Sequence, residues 1–295
     1  MSFADVDDPF VTHRSLLFTV AYEMLGSAAD AEDVLQESWL RWAAVDRDTV
    51  QEPRAYLVRI VTRQALNHLR AVSRRREEYV GEWLPEPLLT SPDVAEDVEL
   101  AENLSIAMLT VLETLGPAER AVFVLREVFD VPYDEIADAV GKTPAAVRQI
   151  AHRAKDHVAA RRPRVAVGPT EHEEVVERLV VALNSGDLQG LMDVLAPDVV
   201  SVADGGGKVR GAARRPIVGA EKLARYLVGG MAKVEGELVA SSTWVNGQPG
   251  VRMELDGVLV GVVSLTVVDG RITQVYSIAN PERLGWVDEE AVVAR

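Results

Sequence analysis

Apolar residues in the first half of this chain recur every three or four positions, the period of a helix with one buried face. Leu16, Leu17, Val20, Ala21, Met24 and Leu25 form one such stripe. A second, on Val34, Leu35, Trp39 and Trp42, follows Asp30-Ala31-Glu32-Asp33, whose acids suit the first turn of a helix. After Pro53 a third helix runs from Tyr56 to about Arg75, so residues from about Val11 to Arg76 read as all helix. Helical spacing returns over Leu104–Leu115 and Pro117–Phe129. Phe129–Lys155 then reads as helix, tight turn and second helix. Glu135, Ile136, Ala137 and Val140 give the first an inward face, Gly141 ends it, Thr143 caps the second and Pro144 takes its first position. On that second helix Val147, Ile150, Ala151, Ala154 and Val158 face inward, which leaves Arg148, Gln149, His152 and Arg153 outward.

From Glu171 onward the period changes. Val175–Asn184 and Gly190–Leu195 read as helices. Val199–Val202, Val251–Leu255, Val258–Val267 and Ile272–Ile278 read as strands, with Asp256-Gly257 and Asp269-Gly270 as hairpin turns. Two helices and a meandering sheet make an α+β domain. Between the two helical units, Glu77–Asp97 contains Trp83-Leu84-Pro85-Glu86-Pro87 and a further Pro92. Prolines at this density break helices and acids favour water, so the stretch reads as an extended, solvated linker. Trp83 is the exception, since its ring calls for a place to be buried, and a groove on the C-terminal domain is the simplest one. The expected boundaries are 1–76, 77–100, 101–164 and 170–295, with Arg161-Arg162-Pro163-Arg164 and Gly168-Pro169 marking the last break.

The charge pattern qualifies this picture. The 295 residues carry a formal charge of −15, which taken alone argues against nucleic acid. Yet Arg59–Arg76 holds six arginines and no acid, Lys142–Arg164 holds seven bases against Asp156, and Glu77–Glu102 holds nine acids and no base. Screening confines each field to about 10 Å, so two local basic footprints survive on an acidic chain, and a larger partner would have to present the DNA. Arg and Gln suit bidentate contacts to guanine and adenine edges, which makes the outward face of the second helix a candidate major-groove reader. With no cysteine, disulfides, thiolate chemistry and Cys-based zinc sites are excluded, and no cofactor is called for. The acidic MSFADVDDPF lacks the regions of a signal peptide, and no apolar run approaches the ~20 residues of a membrane helix, so a cytoplasmic chain with no membrane partner is expected.

With these residues in view, roughly the first 160 positions resemble the extracytoplasmic-function group of bacterial sigma factors. Asp30–Arg41 looks like that family's segment for core RNA polymerase, Tyr56–Arg70 like its −10 segment, and Leu115–Leu125 with the helix-turn-helix like its −35 reader. The resemblance implies two all-α sigma domains, with Asp33, Gln36 and Glu37 toward core RNA polymerase. It assigns Arg63, Asn67, Arg70, Arg74 and Arg75 to the −10 element of promoter DNA, the last three as phosphate contacts along with Arg76. Lys142, Arg148, Gln149, His152 and Arg153 fall to the −35 element, with His152 more a bystander than a reader. Arg63 departs from the Asn that many relatives carry at this position.

The last ~125 residues lie beyond the length of typical members and resemble the SnoaL-like cone fold of polyketide cyclases and ketosteroid isomerases. Three short motifs match a sigma-factor subgroup with this extension: Trp83-Leu84-Pro85 and its continuation, Asp204-Gly205-Gly206-Gly207-Lys208, and Asn280-Pro281-Glu282-Arg283-Leu284. They imply a built-in regulator that contacts the linker and the helical domains. An enzyme is not expected, because the only histidine of this half, His172, lies in the boundary segment and no carboxylate has a convincing partner. A pocket for a small apolar signal ligand is preferred to catalysis, though the residues name no ligand. Against the sigma reading stands a ligand-responsive helix-turn-helix regulator with a cone-fold sensor, which has no need of Asp30–Arg41 or Tyr56–Arg76. A third reading, an isomerase or cyclase with a DNA-binding appendage, requires a pocket carboxylate that is not found.

Overall fold

The apolar stripes do form helices, with the stretch expected over Leu104–Leu115 interrupted at Ser105. In chain order these are α1 (Pro9–Thr12), α2 (Arg14–Leu25), α3 (Ala28–Ala43), α4 (Pro53–Glu77), α5 (Val98–Leu104), α6 (Ile106–Leu112), α7 (Pro117–Phe123), α8 (Tyr133–Val140) and α9 (Pro144–Ala159). The computed structural model describes residues 8–77, 79, 81–162 and 168–295, which fall into two units. The first comprises Met1–Glu77, Val111–Arg162 and Val292–Arg295, the second Glu78–Thr110 and Pro163–Ala291.

In the first unit α2, α3 and α4 pack on one another through Leu17, Val20, Met24, Val34, Leu35, Trp42, Leu57 and Val61, all buried. Gly26 ends α2 at φ 67°, and the Ser27 hydroxyl then accepts from Asp30 N at 3.2 Å to open α3. The Trp42 indole donates to Asp8 Oδ1 at 2.9 Å, giving a buried N–H its partner. α7 continues through a π turn, Val124–Val128, and packs on α9, while α8 and α9 form the expected helix-turn-helix. Gly141 closes α8 at φ 69° and Thr143 Oγ1 accepts from Ala146 N at 3.3 Å. α4 packs against both α7 and α8.

The second unit adds α10 (Pro169–Ser185), α11 (Leu188–Val194), β1 (Leu195–Asp204), β2 (Ile217–Val218), α12 (Ala220–Met231), β3 (Leu238–Val245), β4 (Gln248–Leu255), β5 (Val258–Val268) and β6 (Arg271–Ile278). The strands form one mixed sheet in the order β2-β1-β6-β5-β4-β3, parallel only between β1 and β6. Asn246-Gly247, Asp256-Gly257 and Asp269-Gly270 all take positive φ at both residues, as two-residue hairpins demand. Successive residues of a strand point to opposite faces, and Val262 and Val263 of β5 accordingly enter different clusters. One face packs on α10, α11 and α12 through Val176, Leu179, Leu223, Val251 and Leu265. The other is covered by Leu84, Ile106, Leu284 and Val287.

The α+β architecture is the one expected, with two departures. Between Val202 and Val251 no element is anticipated, whereas the chain forms β2, α12 and β3 there. Gly229-Gly230 at the end of α12 and Ser241-Ser242 within β3 weaken the local signals, and packing against the sheet overrides them. The linker is the larger correction, because it is not solvated: Leu84, Pro85, Glu86, Pro87 and Leu88 are buried. Pro85 and Pro87 carry no N–H to satisfy, and the N–H groups of Leu84 and Leu88 find side-chain acceptors, so burial leaves these donors paired.

Candidate functional site

On the outer face of α3, Asp33, Gln36 and Glu37 are exposed and lie one helical turn apart. Glu37 Oε2 accepts from Gln64 Nε2 of α4 at 2.6 Å, which fixes one carboxylate of the group. Along α4, Arg63, Asn67 and Arg70 are exposed at successive turns. Arg63 does not point freely outward, since its Nη2 donates to the backbone carbonyl of Asp138 in α8 at 2.7 Å. The side chains of Arg74, Arg75 and Arg76 lie outside the described residues.

Helix α9 brings Arg148, Gln149, His152 and Arg153 together around one open concavity, and Lys142 is exposed on the turn before it. Val147, Ile150, Ala151, Ala154 and Val158 hold the opposite side of α9 in the core. His152 Nδ1 lies 2.9 Å from Asp156 Oδ2 on the same helix, which ties that ring to its own backbone neighbourhood. The first unit also encloses a charge cluster. Arg120 of α7 donates Nε to the Glu23 carbonyl of α2 at 2.9 Å and Nη1 to Glu113 Oε1 at 2.7 Å. Both Glu23 carboxylate oxygens are buried without a hydrogen bond, and burial pushes that carboxyl up to about 8.

In the second unit the three short motifs converge on Asp204, at the end of β1 and 0% exposed. Its Oδ1 accepts from the Tyr79 hydroxyl and from Gly206 N at 3.1 Å, and its Oδ2 accepts from Leu84 N at 3.1 Å. Arg283 Nε stands 3.6 Å from Oδ2 and supplies the countercharge. The Arg283 guanidinium lies 3.7 Å over the Trp83 ring, and Trp83 meets Tyr79 edge to face at 4.8 Å. The Ala279 and Asn280 N–H groups donate to the Asp204 carbonyl at 2.8 and 3.0 Å, and Asn280 Nδ2 donates to the Tyr79 hydroxyl at 2.8 Å. Asn280 Oδ1 accepts from Glu282 N at 3.2 Å, which caps the short turn begun by Pro281. Burial and the Asp204 carboxylate push the Tyr79 phenol up to about 12.

The glycines of this loop are used for their missing side chains. Gly206, at φ 58°, would place a Cβ 2.6 Å from Asn280 Cγ, and Gly205 one 2.6 Å from Ala212 Cβ. Gly207 sits at φ 70°, and Lys208 pairs with Glu282. Further along, Leu88 N donates to Asn246 Oδ1 at 2.9 Å, Asn246 Nδ2 donates to the Leu104 carbonyl at 2.9 Å, and Leu89 bridges both Val245 and Glu290.

Asp204, Asn280 and Trp83 stand out in the sequence, whereas Tyr79, Arg283 as a countercharge, and Asn246 do not. An aromatic four residues before Trp83 and an Asn-Gly pair were the available signals. His172 is not in a boundary segment but in the first turns of α10, buried at 6%, with its imidazole pushed down to about 4 by that burial. No described helix is long and apolar enough to cross a membrane.

Comparison with known proteins adds to this geometry. Residues 10–75 match the family model described as Sigma-70 region 2, and residues 105–158 the one described as Sigma-70, region 4. The chain is 38% identical over 291 residues to the ECF RNA polymerase sigma factor SigJ of Mycobacterium tuberculosis (strain H37Rv), covering 93% of this chain and 91% of the relative. It is 33% identical over 275 residues to the protein named "Probable ECF RNA polymerase sigma factor SigI" of the same species, with 92% of each covered. The crystal structure of the M. tuberculosis SigJ protein superposes with a TM-score of 0.72 at 34% identity, covering 92% of this chain and 95% of that one.

Proposed function

We propose, because this chain belongs to the extracytoplasmic-function RNA polymerase sigma factors, that it binds core polymerase through α3 and directs initiation by reading a −10 element with α4 and a −35 element with α9. Asp33, Gln36 and Glu37 supply the acidic polymerase face. Arg148, Gln149 and Arg153 read base edges from the concavity on α9, while Lys142 and Arg70 hold phosphates, contacts that position without specifying. The matches over both helical segments favour this reading over a stand-alone helix-turn-helix regulator, which would use α8 and α9 alone.

The C-terminal domain, in this reading, governs initiation by holding the linker. The observation that carries it is the seat of Tyr79 and Leu84 on Asp204, because the held linker joins the two promoter-reading segments. By their names the two elements lie about 25 base pairs apart, on the order of 85 Å at ~3.4 Å per pair. Arg63 of α4 is hydrogen-bonded to Asp138 of α8, so the closed arrangement cannot serve both elements at once. Initiation then requires that contact to open, and release of the linker supplies the slack.

Run-off transcription with bacterial core polymerase on a pool of promoter fragments tests this, comparing the full chain, a version cut before Asn280 and one ending at Arg164. Promoter-specific transcripts from any of the three support the sigma reading, and differences among them give the sign of the C-terminal control. If none initiates and none binds core polymerase, the reading fails.

A further inference from the structure

We infer that Tyr133, the first residue of α8, is a positioning residue that sets the base specificity of the helix-turn-helix by stacking under Arg148. The inference rests on the reading of Arg148 as a −35 contact and adds to it a residue that acts through that arginine. The Arg148 guanidinium carbon lies 5.5 Å from the centre of the Tyr133 ring, and that of Arg126 lies 4.8 Å from the same centre. Arg126 is itself tethered twice, by Nη1 to the Val131 carbonyl at 3.2 Å and to Asp130 Oδ1 at 2.9 Å. Asp130 takes φ 49° at the turn leading into α8, so the loop before the helix and the ring at its start form one fixed platform. Lys155, the nearby cation on α9, is drawn to Glu127 Oε2 at 2.7 Å.

An exposed arginine has many rotamers, and reading guanine requires its planar fork to lie in line with O6 and N7. A phosphate contact accepts many orientations, whereas a bidentate base contact does not. A ring that holds the guanidinium plane before DNA arrives reduces the ordering left for the base contact. Attraction between cation and ring at an exposed site corresponds to about two- to fivefold in an equilibrium, the equivalent of about 0.5–1 kcal/mol. That factor belongs to discrimination between bases and leaves the salt-dependent phosphate affinity unchanged.

Holoenzymes assembled from core polymerase and the full chain test this on a promoter pool with a randomised −35 element, the transcripts being sequenced. Variants are Tyr133→Phe, Tyr133→Leu, Tyr133→Met, Arg148→Ala and the Tyr133→Leu/Arg148→Ala pair. Arg148→Ala identifies the base position that the arginine reads. Tyr133→Leu should lower discrimination at that position by about two- to fivefold, Tyr133→Phe should preserve it, and the pair should be no worse than Arg148→Ala. Tyr133→Met replaces the leucine variant if that one does not fold. The inference is overturned if Tyr133→Leu leaves a position intact that Arg148→Ala changes. It is equally overturned if phenylalanine fails as badly as leucine, which would assign the role to the hydroxyl, or if the two losses add. Should Arg148→Ala change no position, the reading of Arg148 falls and this inference with it.

Discussion

Asp204 is a carboxylate withdrawn wholly from water, and a buried charge is tolerated only where partners compensate for lost hydration. Here the compensation comes from Tyr79, Gly206, Leu84 and Arg283, two of which belong to the linker. Asp204→Ala should therefore leave Leu84 N–H unpaired and Arg283 without its countercharge. Amide exchange at Leu84 should rise by about 10- to 100-fold, corresponding to ~1–3 kcal/mol. Exchange unchanged at that amide would remove Asp204 as the anchor. Gly206→Ala should weaken the same seat by about 1–3 kcal/mol in a melting experiment, since it combines positive φ with a Cβ driven into the Asn280 amide. Glu23 titrates differently. Its carboxyl is raised from 4.5 to about 8 by burial, so the folded state binds the extra proton across that interval. The contribution of Glu23 to the stability of the first unit is thus fully present below pH 4.5 and is lost as pH rises toward about 8. The decline should amount to on the order of 3–5 kcal/mol, and Glu23→Gln should flatten it in denaturant melts at several pH values. Little of this was legible beforehand: Asp204 stood out through its three glycines, but Tyr79 and Arg283 are ordinary residues until folding brings them to it.

The linker behaves as part of the sheet's edge rather than as a spacer. Leu88–Thr90 runs along the end of β3, with Asn246 N donating to the Leu88 carbonyl at 2.9 Å and Thr90 N to the Trp244 carbonyl at 3.2 Å. Asn246 fastens it from within, because its side chain serves both Leu88 and Leu104. Asn246→Ala should remove two buried hydrogen bonds and lower the stability of the second unit by about 2–4 kcal/mol in chemical denaturation. Asn246→Asp should recover the bond from Leu88 but not the one to Leu104. The helix-turn-helix is the opposite case. Its caps, its inward stripe and its outward basic face all follow from spacing along α8 and α9, and the fold adds the stacking of Arg148 on Tyr133.

Across the whole chain, a formal charge of −15 coexists with a basic α9 and with arginines repeated along α4. A molecule so charged should bind free DNA weakly, and reconstitution on core polymerase should be required before promoter fragments are retained. Charge reversal on the polymerase face is the matching test. Asp33→Lys with Gln36→Lys, which leaves the bond from Gln64 to Glu37 in place, should lower affinity for core polymerase by about tenfold or more in a competition assay, while the folded state melts as before. Equal competition by the variant would move the polymerase contact off α3.

The apolar stripes of the first half, the caps of the helix-turn-helix, the Asp256-Gly257 and Asp269-Gly270 turns and the basic face of α9 are local properties, set by spacing within a few residues, and they can be read directly from the order of amino acids, whereas α12 and β3 cannot. The same order places Trp83, Asp204 and Asn280 far apart; it marks Trp83 as a ring that needs a groove but does not name the residues that line it. The bond from Leu84 to Asp204, the clasp of Tyr79 on Asp204 and the bond from Arg63 to Asp138 all depend on partners 75 or more positions away. A polar, proline-rich stretch reads as solvated because its own composition offers no core. It is buried because a sheet built more than a hundred residues later provides acceptors for its N–H groups and an apolar face for its side chains.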